Sequence, residues 1–199
     1  MGSREKGAAH GAGAGEGRGE KPLAERMRAV HIARVAELPR IELYLDQVIT
    51  LVSQELAFMT LPGETLVTGS MVNNYVKQGV IPAPHRKRYT RRHVASLVFV
   101  CALKRVFSIA QVKSLMELVQ ASGCDLGTLY DDTCALFEEA LAACFSPAPA
   151  PPAPEAPPAD APAPDDGLSR LLDAAVAALA TKVYVEQTLG ELAEGEGRS

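Results

Sequence analysis

The sequence predicts a mainly α-helical protein built around a helix-turn-helix with a small wing behind it. Three observations predict this class. Apolar residues recur at three- and four-residue steps in several separate stretches between residues 38 and 192, the period of a helix with one buried face. Threonine, serine, proline and glycine punctuate those stretches where helices start and stop. Residues 68–94, TGSMVNNYVKQGVIPAPHRKRYTRRHV, contain no Asp and no Glu in a chain whose formal net charge is -4. That segment is patterned as a short helix ended by glycine, followed by a basic loop.

The elements follow in order. The first 20 residues hold seven glycines and no apolar period, so residues 1–21 are expected to be a disordered Gly-rich tail. Pro39 opens a helical pattern running to Leu56, with Ile41, Leu45, Val48, Val52 and Leu56 on its stripe; proline is tolerated in a first turn, where its missing N–H would be unpaired anyway. Pro62-Gly63 is a turn. Thr68 is an N-cap candidate for a helix over 69–78, with Met71, Val72, Tyr75 and Val76 on one face and Ser70, Asn73, Asn74 and Lys77 on the other. Tyr75 shares the apolar face and is expected in the core, and Tyr89 under the loop. Gly79 ends the helix by its tolerance of a left-handed backbone. Val80-Ile81 and Arg88-Tyr89 flank a two-stranded or irregular loop. Thr90 then caps an apolar helix from Arg91 to about Phe107. Ser108 and Gln111 have the spacing of a capping box, placing a further helix from Ser108 to about Ala121, stopped near Gly123. Another follows over 126–145. Residues 146–167 contain nine prolines and read as a semi-rigid Pro/Ala-rich linker. An amphipathic helix over 168–192 carries Leu172, Val176, Leu179 and Val183, and needs this chain's core or a second subunit to cover its stripe. Residues 193–199 are a tail. The helical domain is thus expected over 38–145, with the helix-turn-helix core over 65–121.

Several function classes are excluded by what the sequence lacks. No apolar run is long enough to span a bilayer, no signal peptide opens the chain, and Lys6 stands where a myristoylation signal wants Ser or Thr. The expected location is the cytoplasm. Cys101, Cys124, Cys134 and Cys144 form no C-x-x-C pair and read as thiols rather than metal ligands or disulfides. His85 and His93 read as exposed bystanders. Asp131-Asp132 and Asp165-Asp166 are the adjacent acid pairs, but neighbours on a helix diverge by about 100°, and the second pair ends the linker. With no nucleophile, base and orienting group at workable spacing, no enzyme activity, metal or cofactor is expected.

Charge supplies the positive indication. Between Thr65 and Met116 stand nine Lys or Arg and no acid, whereas the rest of the chain has 11 basic and 24 acidic residues. Such segregation suits a polyanion. In double-stranded DNA, the helix over 69–78 would enter the major groove, where an Asn amide bonds bidentately to adenine and Lys meets guanine or phosphate. Ser70, Asn73 and Asn74 would read bases, with Lys77 and Gln78 at the far end. Arg86, Lys87 and Arg88 on the loop over 85–88 would hold the backbone or an adjacent minor groove. Arg91 and Arg92 open a helix whose N-terminal amides also favour phosphate.

The order Thr68, Tyr75, Gly79, Pro82, Arg88-Tyr89 and Phe107-Ser108 resembles the winged helix-turn-helix of MerR-type transcription regulators, here with a minimal wing and additional C-terminal helices. "LPRIELYLDQVITLV", "TGSMVNNYVKQGVIPAP" and "FSIAQVKSLM" resemble, more closely, the bacterial family called domain of unknown function 1836. The resemblance implies a DNA-binding transcriptional regulator and assigns no effector. Regulators of this build act on paired half-sites, so a homodimer is expected. A second reading is a protein-interaction adaptor that keeps the fold without sequence-specific DNA binding.

Overall fold

The protein, described here from a computed structural model, is mainly helical. Residues 21–147 and 166–196 are described. The expected tail over 1–21 and linker over 146–167 fall almost entirely outside them, as do residues 197–199 of the expected C-terminal tail. Seven α-helices occur among the described residues: α1 (Leu23–Arg28), α2 (Leu45–Glu55), α3 (Gly69–Lys77), α4 (Arg91–Leu103), α5 (Ile109–Ala121), α6 (Leu126–Cys144) and α7 (Asp166–Glu196), with a 3-10 turn at Ala57–Met59. No strand forms among them; β pairing is confined to the isolated bridges Leu43–Tyr89 and His85–Arg88.

The core is centred on α4. Val94, Leu97, Val98, Val100, Cys101 and Leu103 are all buried, so this helix is apolar nearly all round, as a central helix must be. Helices α2, α6 and α7 pack against it. The stripe expected on the last helix is buried at Leu172, Val176, Leu179 and Val183, because α7 folds back along α6 in the same chain. Phe145 at the end of α6 meets Tyr184 edge to face at 5.0 Å, and Phe58 of the 3-10 turn meets Phe137 at 5.9 Å. One buried apolar cluster therefore runs from Leu23 to Val183.

Side-chain oxygens cap three helices, two of them at the residues the sequence indicates. Thr68 Oγ1 accepts the Met71 N–H at 3.2 Å. The Ser108 N–H donates to Gln111 Oε1 at 2.9 Å while Ser108 Oγ accepts the Gln111 N–H at 3.3 Å. Asp125 Oδ2 accepts the Thr128 N–H at 2.9 Å. Gly63, Gly79 and Gly123 all adopt positive φ, and the last two close α3 and α5 as expected.

Five expectations are corrected. The helix predicted from Pro39 begins at Leu45. Leu43 instead exchanges both backbone hydrogen bonds with Tyr89, at 2.8 and 2.9 Å, which keeps this stretch extended and leaves Ile41 70% exposed. The apolar helix expected to reach Phe107 ends at Leu103, followed by a turn. Residues 56–68 between α2 and α3 form a long connection rather than the three or four residues of a tight helix-turn-helix. The final helix continues to Glu196, past the predicted end at 192. Residues 22–37, given no element from the sequence, contain α1 and then an irregular strap across α6.

That strap is held by acids. Glu138 accepts the Ile32 N–H at 2.7 Å and a two-pronged hydrogen bond from Arg34 at 2.8 and 2.6 Å. Glu55 accepts the Ala33 N–H and Asp131 the Val35 N–H, while the Tyr130 hydroxyl donates to the Ala33 carbonyl. Backbone groups outside regular structure need such partners wherever they leave water, which is the task Asp131 performs.

Candidate nucleic-acid interface

Helix α3 presents two opposite faces. Val72 and Tyr75 are at most 2% exposed, and their burial fixes the rotation of the helix. Burying a side chain of Val72's size contributes ~1.5 kcal/mol or more, ample to dock a nine-residue helix that is marginal alone. Ser70, Asn73, Asn74, Lys77 and Gln78 consequently all face solvent. Neither amide caps a helix or closes a turn. Asn74 accepts from the Gln78 side chain at 3.1 Å, one turn along the same face, and Asn73 projects into solvent. Tyr75 takes the core position expected of it, and burial raises its hydroxyl pKa, keeping it neutral beneath the exposed amides.

The basic loop is a tight two-residue turn. Arg86 and Lys87 have φ of 49° and 62°, the Arg88 N–H donates to the His85 carbonyl at 2.8 Å, and His85 and Arg88 pair as an antiparallel bridge. Two consecutive left-handed residues are what a type I′ hairpin turn requires. Glycine and asparagine normally supply them, because a Cβ there crowds the carbonyl. Arg86 and Lys87 adopt that backbone with both side chains exposed.

Tyr44 and Leu45 bring the turn and α3 to one end of α2. The Arg88 guanidinium lies 3.6 Å above the centre of the Tyr44 ring and donates to its hydroxyl. The next residue, Leu45, reaches within 3.5 Å of where a Cβ on Gly69 would sit. The hairpin base and the first turn of α3 thus dock on the same end of α2. Tyr44 was invisible as a site residue because its partner is 44 positions away and spacing carries no signal over that distance. Glu42 and Asp46, exposed on either side of Tyr44, bring negative charge to this end.

The nine cations of the acid-free segment separate by environment. Lys77, Arg86, Lys87, Arg92 and Lys104 are exposed; the Lys104 ammonium stands 6.0 Å from the Tyr75 ring. Arg88 is half-buried by its stacking, and Arg91 is half-buried with its guanidinium 3.4 Å from the Val35 carbonyl. Lys113 pairs with Glu117 on α5. Arg105 is not part of the basic surface at all. Its side chain is 6% exposed and bridges Glu64 at 2.9 Å and Glu186 at 2.6 Å. Burial opposes that charge, but the two carboxylates outweigh it and hold the guanidinium firmly protonated.

His85 is exposed as expected, whereas His93 is not a bystander. His93 Nδ1 accepts the Thr90 N–H at 3.1 Å and so completes the cap of α4. Burial lowers its pKa, partly offset by the backbone of Ala83, and the ring is held neutral beside the arginines. The four thiols are free, and burial pushes Cys101 and Cys134 up to about 12, far from the thiolate that reactivity requires. No group of three His, Cys, Asp or Glu among the described residues is arranged to hold a metal ion, and no helix among them is long and apolar enough to cross a membrane.

A family model described as Domain of unknown function (DUF1836) matches residues 33–133. No curated protein and no solved structure matches the chain.

Proposed function

The chain belongs to the family of the domain of unknown function 1836, and from that premise we propose that it is a DNA-binding transcriptional regulator with a MerR-like winged helix-turn-helix. In this reading α3 enters the major groove and the turn over 85–88 grips the backbone as a minimal wing. The observation that carries it is the composition of the outward face of α3, where Ser70, Asn73, Asn74, Lys77 and Gln78 are exposed together and no acid occurs from Thr65 to Met116. Amides at the middle of such a helix have the donor–acceptor pair that adenine presents in the major groove. The cations that follow have the long reach that phosphate contacts use. The protein is expected to act as a homodimer, two α3 helices meeting half-sites about one helical turn apart.

Selection of bound sequences from a random duplex pool at a stated salt concentration tests the reading. An enriched motif, shifted by Asn73→Ala or Asn74→Ala but left in place by Lys77→Ala, is the expected result. Lys77→Ala is expected to weaken binding across all sequences and to reduce the salt slope by about one unit. No enrichment and no retention at low salt would eliminate the regulator.

The long connection over 56–68 favours a second reading. A module departing this far from the tight turn of DNA readers suits an adaptor whose basic surface meets an acidic protein. Salt-sensitive protein capture without duplex retention distinguishes it.

A further inference from the structure

Outside the α3 face, a pocket of about 260 Å³ opens to solvent between α4, α5, α6 and the strap. Its walls are apolar: Val35, Phe99, Met116, Val119, Leu126 and Leu129. Its polar groups are few. Ser96 carries a hydroxyl on the α4 wall, and Arg91 and Arg92 border the space from the first turn of the same helix. Asp125 also lines it, but that carboxylate is committed to the end of α6. It accepts both the N–H and the hydroxyl of Thr128, which together with the nearby Arg92 charge lower its pKa. Two cations and one carboxylate therefore line the space, and the carboxylate has one oxygen, Oδ2, engaged by Thr128.

An apolar hollow with a few convergent polar groups is the usual form of a small-molecule site. At ~30 Å³ per water it has room for about nine waters, the bulk of an acid of about ten non-hydrogen atoms. We infer that this cavity binds a small amphipathic monocarboxylic acid, its hydrocarbon among the wall residues and its carboxylate on Arg91 and Arg92. The consequence for DNA rests on the regulator reading above. The same two arginines are the candidate phosphate contacts of α4, so a bound carboxylate competes for them and weakens duplex binding.

Calorimetric titration of the full chain with sodium octanoate and with octan-1-ol, at one ionic strength, tests the site. Octanoate is expected to bind at least about tenfold more tightly than the alcohol, the ratio that one charge-assisted hydrogen bond supports. Arg92→Gln, on an exposed side chain, should remove most of that preference. Asp125→Asn, which keeps a capping side chain, should increase it. Ser96→Phe, which fills the space, should abolish binding. Failure of the wild-type chain to bind octanoate, equal affinity for acid and alcohol, or an unchanged preference in Arg92→Gln would overturn the assignment. A parallel duplex-retention assay with saturating octanoate separates the two readings. Arginine-dependent octanoate binding with no duplex retention sinks the regulator and leaves the ligand site standing. Duplex retention without octanoate binding does the reverse, and binding of both with no mutual effect removes the competition alone.

Discussion

Two residues in the basic turn show a local conflict between conformation and composition. Arg86 and Lys87 occupy left-handed backbone, where a side chain costs ~1 kcal/mol or more per residue. Asparagine followed by glycine would satisfy the turn with far less strain. The double substitution Arg86→Asn with Lys87→Gly is therefore expected to stabilise the fold by about 1 kcal/mol in denaturant titration, glycine's larger unfolded-state entropy offsetting part of the gain. In the proposed function the same change weakens duplex binding, since it removes two exposed cations. Stability and binding moving in opposite directions is the signature of residues retained for contact; movement together would assign the turn to folding alone. Asn73 poses the complementary case. Its side chain makes no hydrogen bond among the described residues and Val72 beside it is fully buried, so Asn73→Ala is expected to leave the melting temperature within about 1 °C while altering which sequences are selected.

Among the elements of the candidate interface, α3 has little support of its own. Its nine residues depend on docking and on the Thr68 cap. Thr68→Ala is expected to cost about 1 kcal/mol, a fall of ~2–4 °C in melting temperature for a chain of this size. Hydrogen exchange should show the loss first within 69–77. The connection ahead of α3 is secured from elsewhere. Glu64 lies within it, Glu186 lies on α7, and Arg105 after α4 joins them. Arg105 is itself buried between two carboxylates that keep contact with water, so Arg105→Ala is expected to destabilise by about 2 kcal/mol. Its distinguishing mark is faster exchange in residues 56–68 as well as in α7; a change confined to the turn at 104–107 would show that the bridge does not couple the two elements.

For the whole molecule, the ionisable groups set a pH profile in two stages. His93 has a folded pKa lowered by burial below its ordinary 6.5. The unfolded chain therefore binds this proton first as pH falls, and stability, full above 6.5, declines as pH drops from there toward the lowered value. The second stage belongs to Glu64, Glu138 and Glu186. Burial alone would raise each of them, but hydrogen bonds and the charges of Arg34, Arg105 and Lys182 hold all three below the ordinary carboxylate value of 4.5. Their contribution is complete above 4.5 and is lost as pH falls through the lowered values. Denaturant midpoints between pH 8 and 3 are expected to step down twice, and His93→Gln should remove the upper step only. The acid stage should release the strap and α7 together, because Glu138 anchors one and Glu186 the other.

Much of this was legible in the residues. Thr68, Gly79, Ser108 and Gly123 mark helix ends by local hydrogen bonding and local φ, so their meaning does not depend on what lies across the core. The outward set on α3 was equally legible, since one helix turn relates Met71 and Tyr75 to each other whatever they pack against. Pro39 misled because Ile41 and Leu45 keep helical spacing while Leu43 pairs with Tyr89, a hydrogen-bonded contact across 46 positions. Arg105 misled because charge segregation in sequence says nothing about partners contributed by Glu64 and Glu186. Local periodicity and capping, which act within one turn of chain, determined that this protein is helical and which face of α3 is polar. The fold alone decided that α7 covers α6, that residues 22–37 strap across it, and that Tyr44 holds Arg88 of the basic turn at the end of α2 where α3 also docks. Those contacts join groups tens of residues apart, and they arise only when burial brings distant apolar faces and their charged borders together.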